Sequence, residues 1–162
     1  MSTTRKTILL GTALVAGGVL WYVFRPDALI IDRTVSDSFP AAEGAAPVQL
    51  VSGRFHSNAH ETTGLATVYR LPDGRRVLRL TSFATSNGPD VRVYLVAAAD
   101  VQDEDQATQA GFIDLGALKG NIGDQNYDLP ADLDLSRYRS VSVWCRRFSV
   151  NFGAAPLSAV PS

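Results

Sequence analysis

The chain has little of what most catalytic and metal sites are built from. It holds one cysteine, one methionine and two histidines in 162 residues. A single cysteine excludes an intrachain disulfide and a four-cysteine zinc site. The methionine is Met1, and the histidines are His56 and His60. No G-x-S-x-G elbow and no glycine-rich phosphate loop occurs, so neither a serine hydrolase nor a nucleotide enzyme is indicated. No C-x-x-C-H haem-attachment signal is present. Charge of one sign is lacking too: Lys plus Arg number 15 and Asp plus Glu 16, for a net charge of −1. That balance gives no electrostatic footprint for nucleic acid. The hydrophobic fraction of 46% suits a packed core rather than a disordered chain.

What is present begins with an uncharged run, Ile8 to Phe24 (ILLGTALVAGGVLWYVF). At about 1.5 Å per residue it spans roughly 26 Å, near the lower limit for a bilayer core. A buried core helix normally carries a polar face, and this run has none. A cleaved signal peptide would need small residues at its end, whereas bulky Trp21, Tyr22, Val23 and Phe24 follow. Trp21 and Tyr22 suit the headgroup region. Arg5 and Lys6 precede the run without a compensating acid, and Arg25 shares its flank with Asp27. The expectation is a single-pass anchor in the cytoplasmic membrane, with residues 1–7 inside and the C-terminal domain outside. Ala13 and Gly17 give a small-xxx-small pair, a weak signal for helix packing.

Residues 25–47 read as a juxtamembrane spacer that ends in the linker Ala41 to Pro47 (AAEGAAP). From Val48 onward the period is two. Gly64–Arg70 and Arg76–Phe83 flank Leu71-Pro72-Asp73-Gly74 and read as a hairpin. Asn87-Gly88-Pro89-Asp90 is a turn, and Val91–Val96 alternates with Val91, Val93 and Leu95 on one face. Ala97–Ala110 reads as an exposed acidic loop. Gly111–Leu118 reads as a short strand, interrupted by Gly120-Asn121-Ile122-Gly123 and resumed over Gln125–Leu129. Leu133–Tyr138 suits one helical turn, and Ser140–Cys145 and Phe148–Phe152 close the domain. The expected fold over residues 48–162 is all-β, an antiparallel sandwich or a partly open barrel.

Cys145 ends the strand SVSVWC on the face of Val141 and Val143, and Arg146 and Arg147 follow it. A thiol beside cations can serve as a redox group or as a metal or haem ligand. A lone cysteine on an apolar strand face is also an ordinary core residue. Outside the cytoplasm an unpaired thiol calls for a reason, and an intermolecular disulfide dimer is one. His56, His60 and Cys145 just meet the ligand count of a trigonal copper site, but no axial methionine is at hand. Otherwise both histidines are loop residues. Asp100, Asp103, Glu104 and Asp105 lack the glycine and the closing glutamate of a calcium loop.

Four segments in order carry a resemblance: SGRFHSNAHETTGLATVYRL, VLRLTSFATSNGPDVRVYL, LGALKGNIGDQNYDLP and YRSVSVWCRRFSVNFGAAPL. Together they span roughly Val51 to Leu157, and they resemble the DM-13 (electron-transfer DM-13) domain family. The resemblance implies an all-β module, found on a membrane anchor in bacteria and beside DOMON domains in animal proteins. It implies electron transfer through a characteristic cysteine, as a free thiol or as ligand to a prosthetic group. That cysteine falls on Cys145. His60 matches the histidine of the first segment, and a neutral imidazole near the thiol could accept its proton. The competing expectation is a surface binding or adhesion module in which Cys145 only packs. Expected partners are the membrane, through residues 8–24, and an unidentified protein or redox partner.

Overall fold

The computed structural model describes residues 3–24, 31–40 and 46–160, with the side chains of the first helix described over 11–22. Arg25, Asp27, Leu29, Ile30 and most of the Ala41–Pro47 linker lie outside the described residues, as do the side chains of Arg5 and Lys6. Helix α1, Thr3–Phe24, takes in the whole uncharged run. Leu14, Val15, Val19, Leu20, Trp21 and Tyr22 are all exposed, and none belongs to a buried cluster. Among the described residues no helix is long and apolar enough to cross a membrane.

The rest of the described chain is two sheets. The strands are β1 (Thr34–Ser36), β2 (Val48–Arg54), β3 (His56–Ser57), β4 (Thr62–Arg70), β5 (Arg76–Thr85), β6 (Val91–Val96), β7 (Phe112–Ala117), β8 (Ile122–Asp128), β9 (Ser140–Cys145), β10 (Val150–Pro156) and β11 (Ser158–Ala159). The first sheet runs β1-β8-β5-β4-β2-β11 and the second β3-β10-β9-β6-β7. Every pairing is antiparallel except β1 with β8. The inner faces close on one core, in which Val68, Leu78 and Leu80 of the first sheet meet Val93, Leu95, Val141 and Val143 of the second. This is the sandwich of the two expected architectures, with no closed barrel. Each of these side chains contributes about 1.5–3 kcal/mol on burial, so the alternation in VRVYLV and SVSVWC sets which face turns inward.

The β4–β5 hairpin follows from its turn. Gly74 takes φ +86°, which L side chains rarely adopt, and its amide donates to the Leu71 carbonyl at 2.9 Å. The Asp73 carboxylate accepts the Arg75 amide at 3.0 Å. At Leu133–Tyr138 one turn forms, with the Asp134 carbonyl accepting from the Tyr138 amide at 3.0 Å.

Three expectations change. The acidic stretch is not an open loop. Residues Glu104–Ala110 form helix α2, and the Asp103 carboxylate caps it by accepting the Gln106 amide at 2.8 Å. Val101 and Ala107 are buried under it against Tyr94, Val96, Trp144 and Ala154. The second sheet is therefore covered on its outer face as well. Next, β8 begins at Ile122, so Gly123 lies inside a strand rather than interrupting one. It takes φ +103°, and a Cβ there would collide with the Val35 carbonyl. Last, part of the spacer joins the domain: β1 pairs in parallel with β8. Asp37 fastens it, accepting Lys119 Nζ at 2.6 Å and the Asn126 amide at 3.0 Å. Asn126 donates in return to the Ser38 carbonyl at 2.8 Å.

Candidate functional site

Strand β9 is central in its sheet, between β10 and β6, and all six of its residues are buried. Its alternation sends Val141, Val143 and Cys145 into the sandwich and Ser142 and Trp144 to the outer face under α2. Cys145 stands directly opposite Val91 on β6 and Val150 on β10. Its exposure is 0%, and it belongs to the main core. No described residue gives its sulfur a hydrogen bond. The two arginines after it do not turn toward it. Arg146 Nε lies 2.8 Å from Asp90 Oδ2, and the Arg146 amide donates to the Asp90 carbonyl at 2.9 Å. Arg147 is exposed. The expected cationic setting for the thiol is instead a clamp that ties the end of β9 to the turn before β6.

That turn forms one wall of a cleft of about 490 Å³ at the edge of the sandwich. The cleft is bounded by residues 31–33, 86–91 and 117–121. Gly88-Pro89-Asp90 places Val91 at the strand start, as the sequence indicated, and leaves Val91 8% exposed. Val91 is thus both a cleft-lining residue and the cross-strand neighbour of Cys145. Directly opposed residues bring their Cβ atoms within about 4.5–5.5 Å, so the sulfur lies one side chain behind the cleft wall.

The cleft floor is cross-linked by hydrogen bonds. Asn121, 6% exposed, accepts the Arg33 amide at 2.7 Å and donates to Asp32 Oδ1 at 2.9 Å and the Thr85 carbonyl at 3.2 Å. Asn87 also donates to Asp32 Oδ1, at 2.7 Å. Lys119 is drawn to Asp37, whereas the Arg33 guanidinium has no partner among the described residues. The hydrogen bond from Lys119, joined by that from the Asn126 amide, holds the Asp37 carboxyl below its ordinary value.

The histidines do not converge on the sulfur. His56 lies in β3 rather than in a loop, with Nε2 2.8 Å from Asp100 Oδ1. Burial pushes the Asp100 carboxyl up, but hydrogen bonds from His56 and from the Val101 amide outweigh it and bring the carboxyl below its ordinary value. His60 lays its ring on Phe152, with centroids 3.9 Å apart, and its amide donates to the Phe152 carbonyl at 3.2 Å. No hydrogen bond joins His60 to Cys145.

Among the described residues no three His, Cys, Asp or Glu side chains come together as a metal-binding group. His56, His60 and Cys145 therefore do not fit a copper centre. Haem ligation fits no better, because Cys145 does not line the cleft. Asp100, Asp103, Glu104 and Asp105 are spent on the His56 contact, the helix cap and the first turn of α2.

Sequence reasoning missed the Asp90–Arg146 clamp and the aromatic face of the second sheet. The second did leave a signal. Tyr94 and Trp144 alternate with the core residues of VRVYLV and SVSVWC, and large aromatics on both outer faces call for a cover.

A family model described as Electron transfer DM13 matches residues 54–157. No curated protein and no solved structure gives a match.

Proposed function

The chain belongs to the electron transfer DM13 family, and from that premise we propose that it is a redox module whose responsive group is the free thiol of Cys145, held at the outer face of the membrane by α1. The observation that carries the sulfur is its position behind Val91, a residue that lines the cleft. Displacing the turn at 86–90 opens a path to it. The reaction is thiol–disulfide exchange with a disulfide-bearing partner. The Cys145 proton passes to water in the opened cleft, and the thiolate attacks one partner sulfur. The new S–S bond forms as the partner's bond breaks, and its second sulfur leaves as thiolate. Cys145 is oxidised and the partner reduced.

Against the finding that no helix of the described residues is long and apolar enough to cross a membrane, two observations support the anchor. The run Ile8–Phe24 is uncharged, and the described apolar side chains of α1 are exposed with no core of their own. Arg5 and Lys6 then favour a cytoplasmic N-terminus.

The test is to equilibrate the folded full-length chain with glutathione at stepped redox ratios and to read the mass of the chain. A native-state adduct at Cys145 that reduction reverses, forms faster in Asp90→Ala and is absent from Cys145→Ala is expected. A thiol that stays unmodified at every ratio, yet reacts once the chain is denatured, overturns the reading. One observation favours a second reading, a binding sandwich in which Cys145 only packs: the sulfur is 0% exposed and has no polar partner. On that reading Cys145→Ala keeps every cellular function of the chain.

A further inference from the structure

The outer face of the second sheet carries an aromatic stack unrelated to the sulfur. Phe112 lies flat on Tyr94, with centroids 4.3 Å apart and planes 12° apart. Tyr94 in turn faces Trp144 at 6.2 Å and 25°. Phe112 is 43% exposed, while Tyr94 and Trp144 are 3% and 5% exposed beneath α2. The three rings line a hollow of about 230 Å³, rimmed by Thr108, Arg146 and Ser149.

Packing accounts for the burial but not for the phenol. Tyr127, the other buried tyrosine, binds Gln125 Oε1 at 2.8 Å and accepts the Lys119 amide at 3.3 Å. The Tyr94 hydroxyl has no hydrogen-bond partner among the described residues, and it is not sealed off from solvent. An indole and a phenol, the two most readily oxidised neutral aromatic side chains, thus stand in ring register. Both rings are nearly buried, and both line the hollow.

We propose that Trp144 and Tyr94 form a one-electron relay that opens at this hollow, a second redox centre independent of Cys145. A one-electron metal-complex oxidant at the surface takes an electron from the Trp144 indole and leaves its radical cation. Tyr94 returns an electron to the indole and releases its phenolic proton to water in the hollow. The net change is Tyr94 to its neutral radical, one proton to water and one electron to the oxidant. A one-electron donor with that proton reverses it.

The chain has two tryptophans, so Trp21→Phe leaves Trp144 as the only indole. The test uses the full-length chain with that change, a photogenerated ruthenium(III) complex as oxidant, and transient absorption. An indole radical that decays as a tyrosyl radical rises is expected. Tyr94→Phe should abolish the tyrosyl rise and prolong the indole radical, and Trp144→Phe should abolish the fast tyrosyl phase. Near-ultraviolet circular dichroism and denaturation midpoints check that each variant is folded. A tyrosyl signal that survives Tyr94→Phe comes from another of the five tyrosines and overturns the relay, as does an unchanged rise in Trp144→Phe. Cys145→Ala should leave both phases intact, and their loss there would overturn the independence claimed. The glutathione adduct reports the sulfur alone, so the two proposals fail separately.

Discussion

At Cys145 the sulfur is fully buried and makes no hydrogen bond among the described residues, so the side chain that replaces it decides the cost. Cys145→Ala leaves a small cavity and should cost about 1–2 kcal/mol. Cys145→Ser keeps the size but buries a hydroxyl with no partner, a penalty of about 1–3 kcal/mol beyond the lost transfer term. Urea denaturation should therefore rank serine below alanine. An equal or milder loss for serine would mean that the sulfur has a polar partner after all. Alternation within SVSVWC was enough to assign Cys145 to the face of Val141 and Val143. It could not show that Arg146 would turn back to Asp90, because that contact joins residues far apart in the sequence. Adjacency in sequence suggested a cation at the thiol, and the strand-end geometry sends the cation elsewhere.

Among the elements, β1 is held to the domain by polar contacts. Asp37 holds it to Lys119 and the Asn126 amide. Its carboxyl sits below the ordinary value in the folded chain. The stabilisation is therefore complete above the unfolded value of about 3.9 and is lost as pH falls through the lower folded value. Hydrogen exchange should show the β1 amides losing protection in acid before the core strands do, and Asp37→Asn should remove that pH dependence. Gly123→Ala should detach the same strand at neutral pH, because both φ +103° and the Val35 carbonyl exclude a Cβ. Helix α2 hangs on its cap. Asp103→Ala should cost about 0.5–2 kcal/mol, read as a lower denaturation midpoint together with faster exchange over residues 104–110. The sequence concealed α2 for a physical reason. Ala107 is its one fully buried residue, and a single small apolar side chain gives no helical periodicity. The spacer strand was hidden similarly, since Thr34–Ser36 is too short to show a period and its register depends on Gly123.

For the molecule as a whole, the strands with clean alternation and strong turns were legible in advance. Val91–Val96 and Ser140–Cys145 stand where the pattern placed them, and the β4–β5 hairpin closes over its Asp-Gly turn. What the pattern did not contain was the layering: the second sheet has a core on one side and an α2 cover on the other. That layering sets the Cys145 sulfur and the Tyr94–Trp144 stack on opposite faces of the β6–β9 pair, with Arg146 both rimming the aromatic hollow and clamping the turn before β6. Anchoring by α1, as proposed above, is a property of the whole chain. The full chain should remain with the membrane fraction through high-salt and alkaline washes, and detergent should release it. Release by salt alone would remove α1 from the account.

The redox proposal requires a sealed sulfur that is reachable from the cleft without unfolding of the sandwich. Its most direct test is the rate at which a small alkylating reagent modifies Cys145 in the native full-length chain, set against the global unfolding rate read from exchange of the slowest core amides. Modification well ahead of unfolding, and faster still in Asp90→Ala, is the predicted result. Modification that keeps pace with unfolding and ignores the Asp90 change would contradict it.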